Sequence, residues 1–337
     1  MKFLISIILI LTVGHSSYSQ KTSQLEGKCG AELKETIRLA SRPGNIVNDD
    51  WGEGGAWEAF RSTDNDNGVV IDRYSTQQHT FYHDGISAAE GMTVDQVVNI
   101  SWWGNNHNYG DTIKYDLHHL YPCDDEVTTH KRDYPPGEVV IASYENECWK
   151  SGLGYIAGLE SNVYQPADEY KGDFARAIMY IMTLYPSNRW SGKGANFCVD
   201  NQFPTLNKYA QRILLAWHNA DPVSDVERKR NDAVELIQGN RNLYIDYPQL
   251  AEHVWGNLSD TPFDSETERI PLRSTYKTTD QRIDLYHPSI PENAIWTING
   301  IRITAQHLIP ADLGIGIHEL KYSSTDVKGK LLIKIIN

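Results

Sequence analysis

Three consecutive segments in the middle of the chain carry apolar residues at helical spacing, and beyond about Thr261 that spacing gives way to alternation typical of strands. Phe174, Ile178, Ile181 and Tyr185 fall on one helical face until Pro186 ends the run. Thr205 can cap a second helix bearing Leu206, Ile213, Leu214 and Trp217. Asp221-Pro222 reads as the start of a third, with Val226, Arg230, Ala233, Val234 and Ile237 running to a stop at Gly239. Past Thr261 the strongest signal is a hairpin, Ile295 to Ile303, turning at Asn299-Gly300, and the chain closes on a strand, Leu331 to Ile336. Helices followed by strands, in blocks, predict an α+β chain with a large first domain and a small β-rich module over 270–337.

The N-terminal half is less regular. Lys28 to about Ala40 predicts a helix stopped by Arg42-Pro43-Gly44, and a loop rich in Asp, Asn and Gly follows. Gly68 to Tyr74 and Val94 to Ile100 predict short strands. Residues 1–19 carry Lys2, an apolar run from Phe3 to Val13 and the small-residue exit Ser17-Tyr18-Ser19, and so read as a cleaved signal peptide, with the large domain spanning about 20–260. That run is too short to cross a bilayer, and no later segment is longer. An exported chain, periplasmic, extracellular or at the cell surface, is expected. Cys29, Cys123, Cys148 and Cys198 then suggest one or two disulfides, with free buried thiols as the alternative.

Net charge argues against extended nucleic-acid binding. The formal value is −13, and phosphate recognition draws on clustered Lys and Arg, so any such site has to be a local patch on an acidic body.

Tyr115-Asp116-Leu117-His118-His119-Leu120-Tyr121-Pro122 resembles the Asp-Leu-His-His-Leu-x-Pro block of secreted bacterial endonuclease I proteins. Lys171 to Ala177, then Trp217 with Asp221-Pro222-Val223, Glu227 and Arg230-Asn231, and finally Gln238 to Asn242 with Ile245-Asp246 and Pro248, match further blocks of that family in order. Asp84-Gly85, Ser87-Ala88, Gly91-Met92 and Ser101-Trp102-Trp103-Gly104 match upstream, so the resemblance spans about residues 30 to 256. It implies a ββα-metal (His-Me finger) nuclease core surrounded by helices, one Mg2+ ion, and cleavage of DNA or RNA with little sequence preference. The histidine of such a site takes a proton from water, while the metal and an arginine neutralise charge on the phosphate.

The matching positions depart from that pattern. Where the family reads Asn-Ile-Glu-His before Ser-Trp-Trp-Gly, this chain reads Thr93-Val94-Asp95-Gln96. Asp95 keeps a metal-ligating carboxylate, but Gln96, in the general-base position, has no titratable group. The family's Val-Asn-x-x-Arg-x-Asn reads Val127-Thr128-Thr129-His130-Lys131-Arg132-Asp133, placing Thr128 at the second metal-ligand position and Lys131 at the phosphate-binding arginine. Lysine keeps the charge and loses the planar fork.

Arg132, Arg176 and Arg241, with Lys131, are the candidates for a nucleic-acid-binding patch, against ordinary salt bridging on a chain with 44 acids. Trp102-Trp103 could stack on bases or belong to the core, and His130 could stand in as a base. Neighbouring His118 and His119 suit structural roles better than shared metal ligation. Two functions are compatible with these residues: a magnesium-dependent nuclease with impaired or rearranged chemistry, or a non-catalytic secreted protein that keeps the nuclease fold for binding. The module over 270–337 resembles the sorting domain that directs export through the outer membrane in Bacteroidetes, with Asn299-Gly300, Gly316-Ile317 and the closing Lys334-Ile335-Ile336.

Overall fold

The computed structural model describes residues 24–337 except 104–110, 187–188, 266–271, 273–274, 279, 281, 287–289, 292, 306 and 326. The 1–19 segment and Gly104 therefore lie outside the described residues. The chain divides into two compact units, 1–264 and 265–337. No helix among the described residues is long and apolar enough to cross a membrane.

The first unit places helix α1 (Gly30–Ala40) and helix α2 (Ala56–Thr63) ahead of strand β1 (Met92–Gln96). Strand β1 pairs antiparallel with β2 (Leu120–Asp124), and β2 runs directly into helix α3 (Asp125–Lys131). A three-stranded antiparallel meander follows: β3 (Val139–Glu145), β4 (Trp149–Ile156) and β5 (Leu159–Pro166). Helices α4 (Lys171–Leu184), α5 (Lys208–Ala220) and α6 (Asp225–Gln238) complete the scaffold.

Helix α4 is the axis of the main core: every residue from Gly172 to Leu184 is buried, so it is covered on all sides. Its polar members are buried in pairs, as the cost of desolvating a lone charge requires. The Arg176 guanidinium donates to both carboxylate oxygens of Glu227 on α6. Asp173 takes a 2.7 Å hydrogen bond from Arg73, which also bonds Asp64, and Asp64 in turn accepts from Arg230. The Arg73 and Arg230 guanidinium groups lie 4.5 and 4.6 Å from the ring of Tyr121 on β2. The β1–β2 hairpin is thereby clamped to the helical core from beneath.

Several boundaries differ from the sequence expectation. The third mid-chain helix starts at Asp225, not at Asp221-Pro222. Ser224 and Glu227 form a reciprocal capping box there, and Gly239 ends the helix at φ 74°. Asp221 instead closes over α4: its Oδ2 accepts from the Gly172 amide at 2.8 Å, and a Cβ on Gly172 would meet the Asp221 carbonyl at 2.1 Å. Helix α5 is capped by Asn207, whose Oδ1 accepts from the Ala210 amide, while Thr205 is buried at φ 67°. The strand expected over Gly68–Tyr74 is confined to Val69–Val70, and the one expected over Val94–Ile100 starts earlier and ends at Gln96. The meander over Val139–Pro166 was not anticipated at all.

All four cysteines are free thiols rather than disulfide partners. Cys123 accepts from the Thr128 hydroxyl and Cys198 donates to the Met182 sulfur, so each already has a local polar partner. Trp102 and Trp103 are core residues, with Trp102 Nε1 donating to the Asp133 carbonyl.

The second unit is built on a five-stranded sheet. In spatial order its strands are β8 (Ile301–Arg302), β7 (Ile295–Ile298), β9 (Gly316–Ser323), β10 (Lys328–Ile336) and β6 (Thr275–Lys277). Strands β7 and β8 form the hairpin that Asn299-Gly300 announces, with φ of 49° and 84° at the turn. One face of the sheet buries Tyr276, Trp296, Leu320, Ile333 and Ile335; the other is open.

Candidate functional site

Strand β1 presents Asp95 and Gln96 directly opposite Tyr121 and Leu120 of β2. Asp124, the last residue of β2, caps α3 by accepting from the Glu126 amide at 2.9 Å. The amide of Asp125 ties the helix start to the Gly91 carbonyl just before β1. The hairpin and helix thus bring both substituted motifs into one buried neighbourhood, because the last turn of α3 lies against β1.

Asp95 is buried, and both its carboxylate oxygens are taken. Oδ2 accepts from the Tyr74 hydroxyl at 2.6 Å, and Oδ1 accepts from the Lys131 ammonium at 3.0 Å. Lys131 is itself buried, donates to the Gln96 carbonyl at 3.1 Å, and lies 5.5 Å from the centre of the Tyr164 ring. Thr128 lies one helical turn earlier, and its hydroxyl donates to Cys123 Sγ at 3.0 Å rather than to either member of this pair. The half-buried Gln96 side chain donates to the Lys114 carbonyl at 3.3 Å.

These residues do not fit a magnesium ion. Mg2+ requires near-octahedral oxygen ligation, and the single carboxylate here is already neutralised by an ammonium group and hydrogen-bonded by a phenol. Among the described residues, no group of three or more His, Cys, Asp and Glu side chains is placed to hold a metal. The neighbouring thiol offers no substitute, since burial pushes Cys123 well above the usual thiol range.

The two histidines of the Asp-Leu-His-His-Leu block sit in a 3-10 turn, not on a strand, and both are buried. Burial lowers His119 to about 3 and holds His118 well below its ordinary value, so both are neutral near pH 7. His119 Nε2 lies 2.6 Å from the Ile113 carbonyl. Asp116, between two tyrosine hydroxyls and the Gln238 amide, anchors the same turn.

Of the proposed phosphate contacts, Arg176 is fully buried against Glu227 and presents nothing to solvent. Arg241 is spent on Asp232, Glu235 and Asp246. Arg132 alone is exposed, just past α3 at φ 52°, a backbone region that L residues rarely occupy. His130 stacks on Tyr144 with ring centres 4.1 Å apart and planes 9° from parallel. It is not aimed at Gln96.

One cluster escaped the sequence reading. His79 Nε2 lies 3.6 Å from Asp124 Oδ2, while its Nδ1 is 2.8 Å from the Glu90 carbonyl. Nearby Asp72 accepts from the Tyr74 amide with one oxygen and leaves the other buried without a partner. Burial, reinforced by the Asp124 charge, raises Asp72 to about 7. These residues are scattered over Asp72 to Asp124, and only folding brings them together.

The family model described as Endonuclease I matches residues 32–249. The chain belongs to the Endonuclease I family. Among its relatives is the extracellular ribonuclease of Bacillus subtilis (strain 168), 29% identical over 244 residues, a match covering 68% of this chain and 76% of the relative. The extracellular ribonuclease of Bacillus amyloliquefaciens is 27% identical over 247 residues, covering 69% and 76%. The Endonuclease I match spans β1, β2, α3 and the buried ion-pair network, so the substituted positions lie inside it.

Proposed function

We propose that this protein is an exported Endonuclease I-family protein in which Lys131 has replaced the divalent metal as counterion to the site carboxylate, leaving the nuclease fold as a nucleic-acid-binding scaffold without metal-dependent hydrolysis. The observation that carries this reading is the saturation of Asp95 by Tyr74 and Lys131. The β1–β2–α3 order supports reading the unit as the family's ββα core. The extracellular relatives and the apolar segment at 1–19 support export, and their being ribonucleases supports RNA or DNA as the partner. Loss of a general base alone costs about 10²–10⁴ in rate, and loss of metal chemistry adds to it.

The test is cleavage of supercoiled plasmid and of long RNA, with magnesium and with chelator. Background rates under both conditions are expected; robust magnesium-dependent cleavage overturns the reading. A second reading, hydrolysis by a relocated base, draws on His79, whose Nε2 has no hydrogen-bond partner beside Asp124. Chelator-resistant cleavage that disappears in His79→Ala would favour it.

A further inference from the structure

The charge of this chain is unevenly divided. The second unit holds nine Lys and Arg against eight Asp and Glu, so it is nearly balanced while the remainder is strongly acidic. Within its five-stranded sheet the cations are further segregated. Directly paired residues on neighbouring strands share a face, and alternate residues along each strand do too.

The pairs Thr297–Arg302, Thr297–Lys321, Lys321–Lys330, Ser323–Lys328, Ile317–Lys334 and Ile336–Lys277 therefore place six cations on one face: Lys277, Arg302, Lys321, Lys328, Lys330 and Lys334. All six are exposed. Among the described residues of these strands, the one carboxylate on that face is Glu319, 2.7 Å from Lys321 and 3.7 Å from Lys330. Around Ile295, Thr297, Lys321, Tyr322, Lys328 and Lys330 the sheet dips into a shallow concavity of about 480 Å³ whose floor is largely apolar and whose lysines stand around it.

We infer that this sheet face docks the phosphate backbone of a nucleic-acid duplex. The inference deepens the binding role proposed above and concerns a different surface from the Asp95 site. Three observations favour this partner. Of the four first-unit cations expected to bind phosphate, Lys131, Arg176 and Arg241 are held by carboxylates and Arg132 alone is exposed, so the binding scaffold gains from a second cationic surface. Lys328 and Lys330 stand about 7 Å apart along β10, Lys334 follows beyond the exposed Leu332, and such a line of charges along one strand suits a polyanion. The sheet's aromatic pair, Trp296 and Tyr322, packs with ring centres 5.4 Å apart on the opposite face. Register places no aromatic of these strands at the positions of the six cations, whereas single-strand binders stack unpaired bases on aromatic side chains.

The experiment measures binding of the full chain to a short labelled DNA duplex across a range of salt, beside a triple variant with Lys328→Gln, Lys330→Gln and Lys334→Gln. A control variant carries Lys28→Gln, Lys150→Gln and Lys229→Gln, an equal change of charge elsewhere. Thermal melts establish that all three proteins fold. The wild type is expected to bind with a log–log salt slope of about −4 to −5, and the sheet variant to lose about 3 from that slope, since each phosphate contact contributes about 0.9. Its affinity at low salt should fall at least about tenfold, with the control unchanged. Equal binding by the sheet variant, absence of salt-dependent duplex binding by the wild type, or binding by this face to anionic lipid vesicles alone each overturn the inference. None of these outcomes bears on cleavage, so the counterion reading of Lys131 stands or falls separately.

Discussion

The Lys131 ammonium lies 3.0 Å from Oδ1 of Asp95, and both side chains are buried. A carboxylate in such a place needs a positive partner, and an attached one is available at every metal concentration. Removing it should expose the substitution. Lys131→Gln is expected to lose about 3–5 kcal/mol of stability, the usual cost of leaving a buried charge uncompensated. Millimolar magnesium or manganese should recover part of that loss in the variant and leave the wild type unmoved. Thermal melts with and without metal measure both; a wild type stabilised by magnesium as strongly as the variant argues against the replacement.

Restoring the family residues at Gln96 and Thr128 should not by itself restore chemistry. Gln96→His with Thr128→Asn supplies a base and a ligand, but the ammonium still occupies Asp95. Magnesium-dependent nicking is expected only when Lys131 is changed as well, because groups that act as a unit are not additive. A double variant that cuts as fast as the triple one would falsify the blocking role of Lys131.

Asp72 gives a pH dependence of defined sign. Burial raises it to about 7 from an ordinary 3.8, so the folded chain keeps a proton that the unfolded chain releases. Stability therefore falls as pH rises from about 4 towards 7 and stays lower above that window. Asp72→Asn retains an acceptor for the Tyr74 amide and removes the titration. Its melting temperature should exceed wild type at pH 8 and match it near pH 4; the same difference at both values would rule out Asp72 as the source.

The two arginines once grouped as phosphate contacts should separate by stability. Arg176→Ala strands Glu227 in the core and is expected to cost about 3–5 kcal/mol. Arg241, 14% exposed among carboxylates that solvent also reaches, should cost about 1 kcal/mol when replaced by alanine. Denaturant melts compare them, and equal losses would contradict the burial assigned to Arg176.

Local patterns made some of this protein readable from its sequence alone. The apolar stripe of α4, the Asn299-Gly300 turn and the stop at Gly239 are each set by neighbours within a few residues, and the family blocks mark Asp95, Gln96, Thr128 and Lys131 as positions that depart from the family pattern. Which of those residues meet was decided only by tertiary structure. Lys131 reaches Asp95 across 36 positions because α3 folds back on β1, and Tyr74 arrives from a segment that is not the strand its composition suggests. Asp221 likewise looks like a helix cap until Gly172 comes close enough to use it. Charge shows the same division: the sequence fixes how many lysines there are, but strand register puts six cations on one face, and burial removes Arg176 from the surface. The physical reason is common to all of these. Propensity and capping act over one or two turns, whereas pairing of buried charges depends on which elements pack together, and no short window of sequence contains that information.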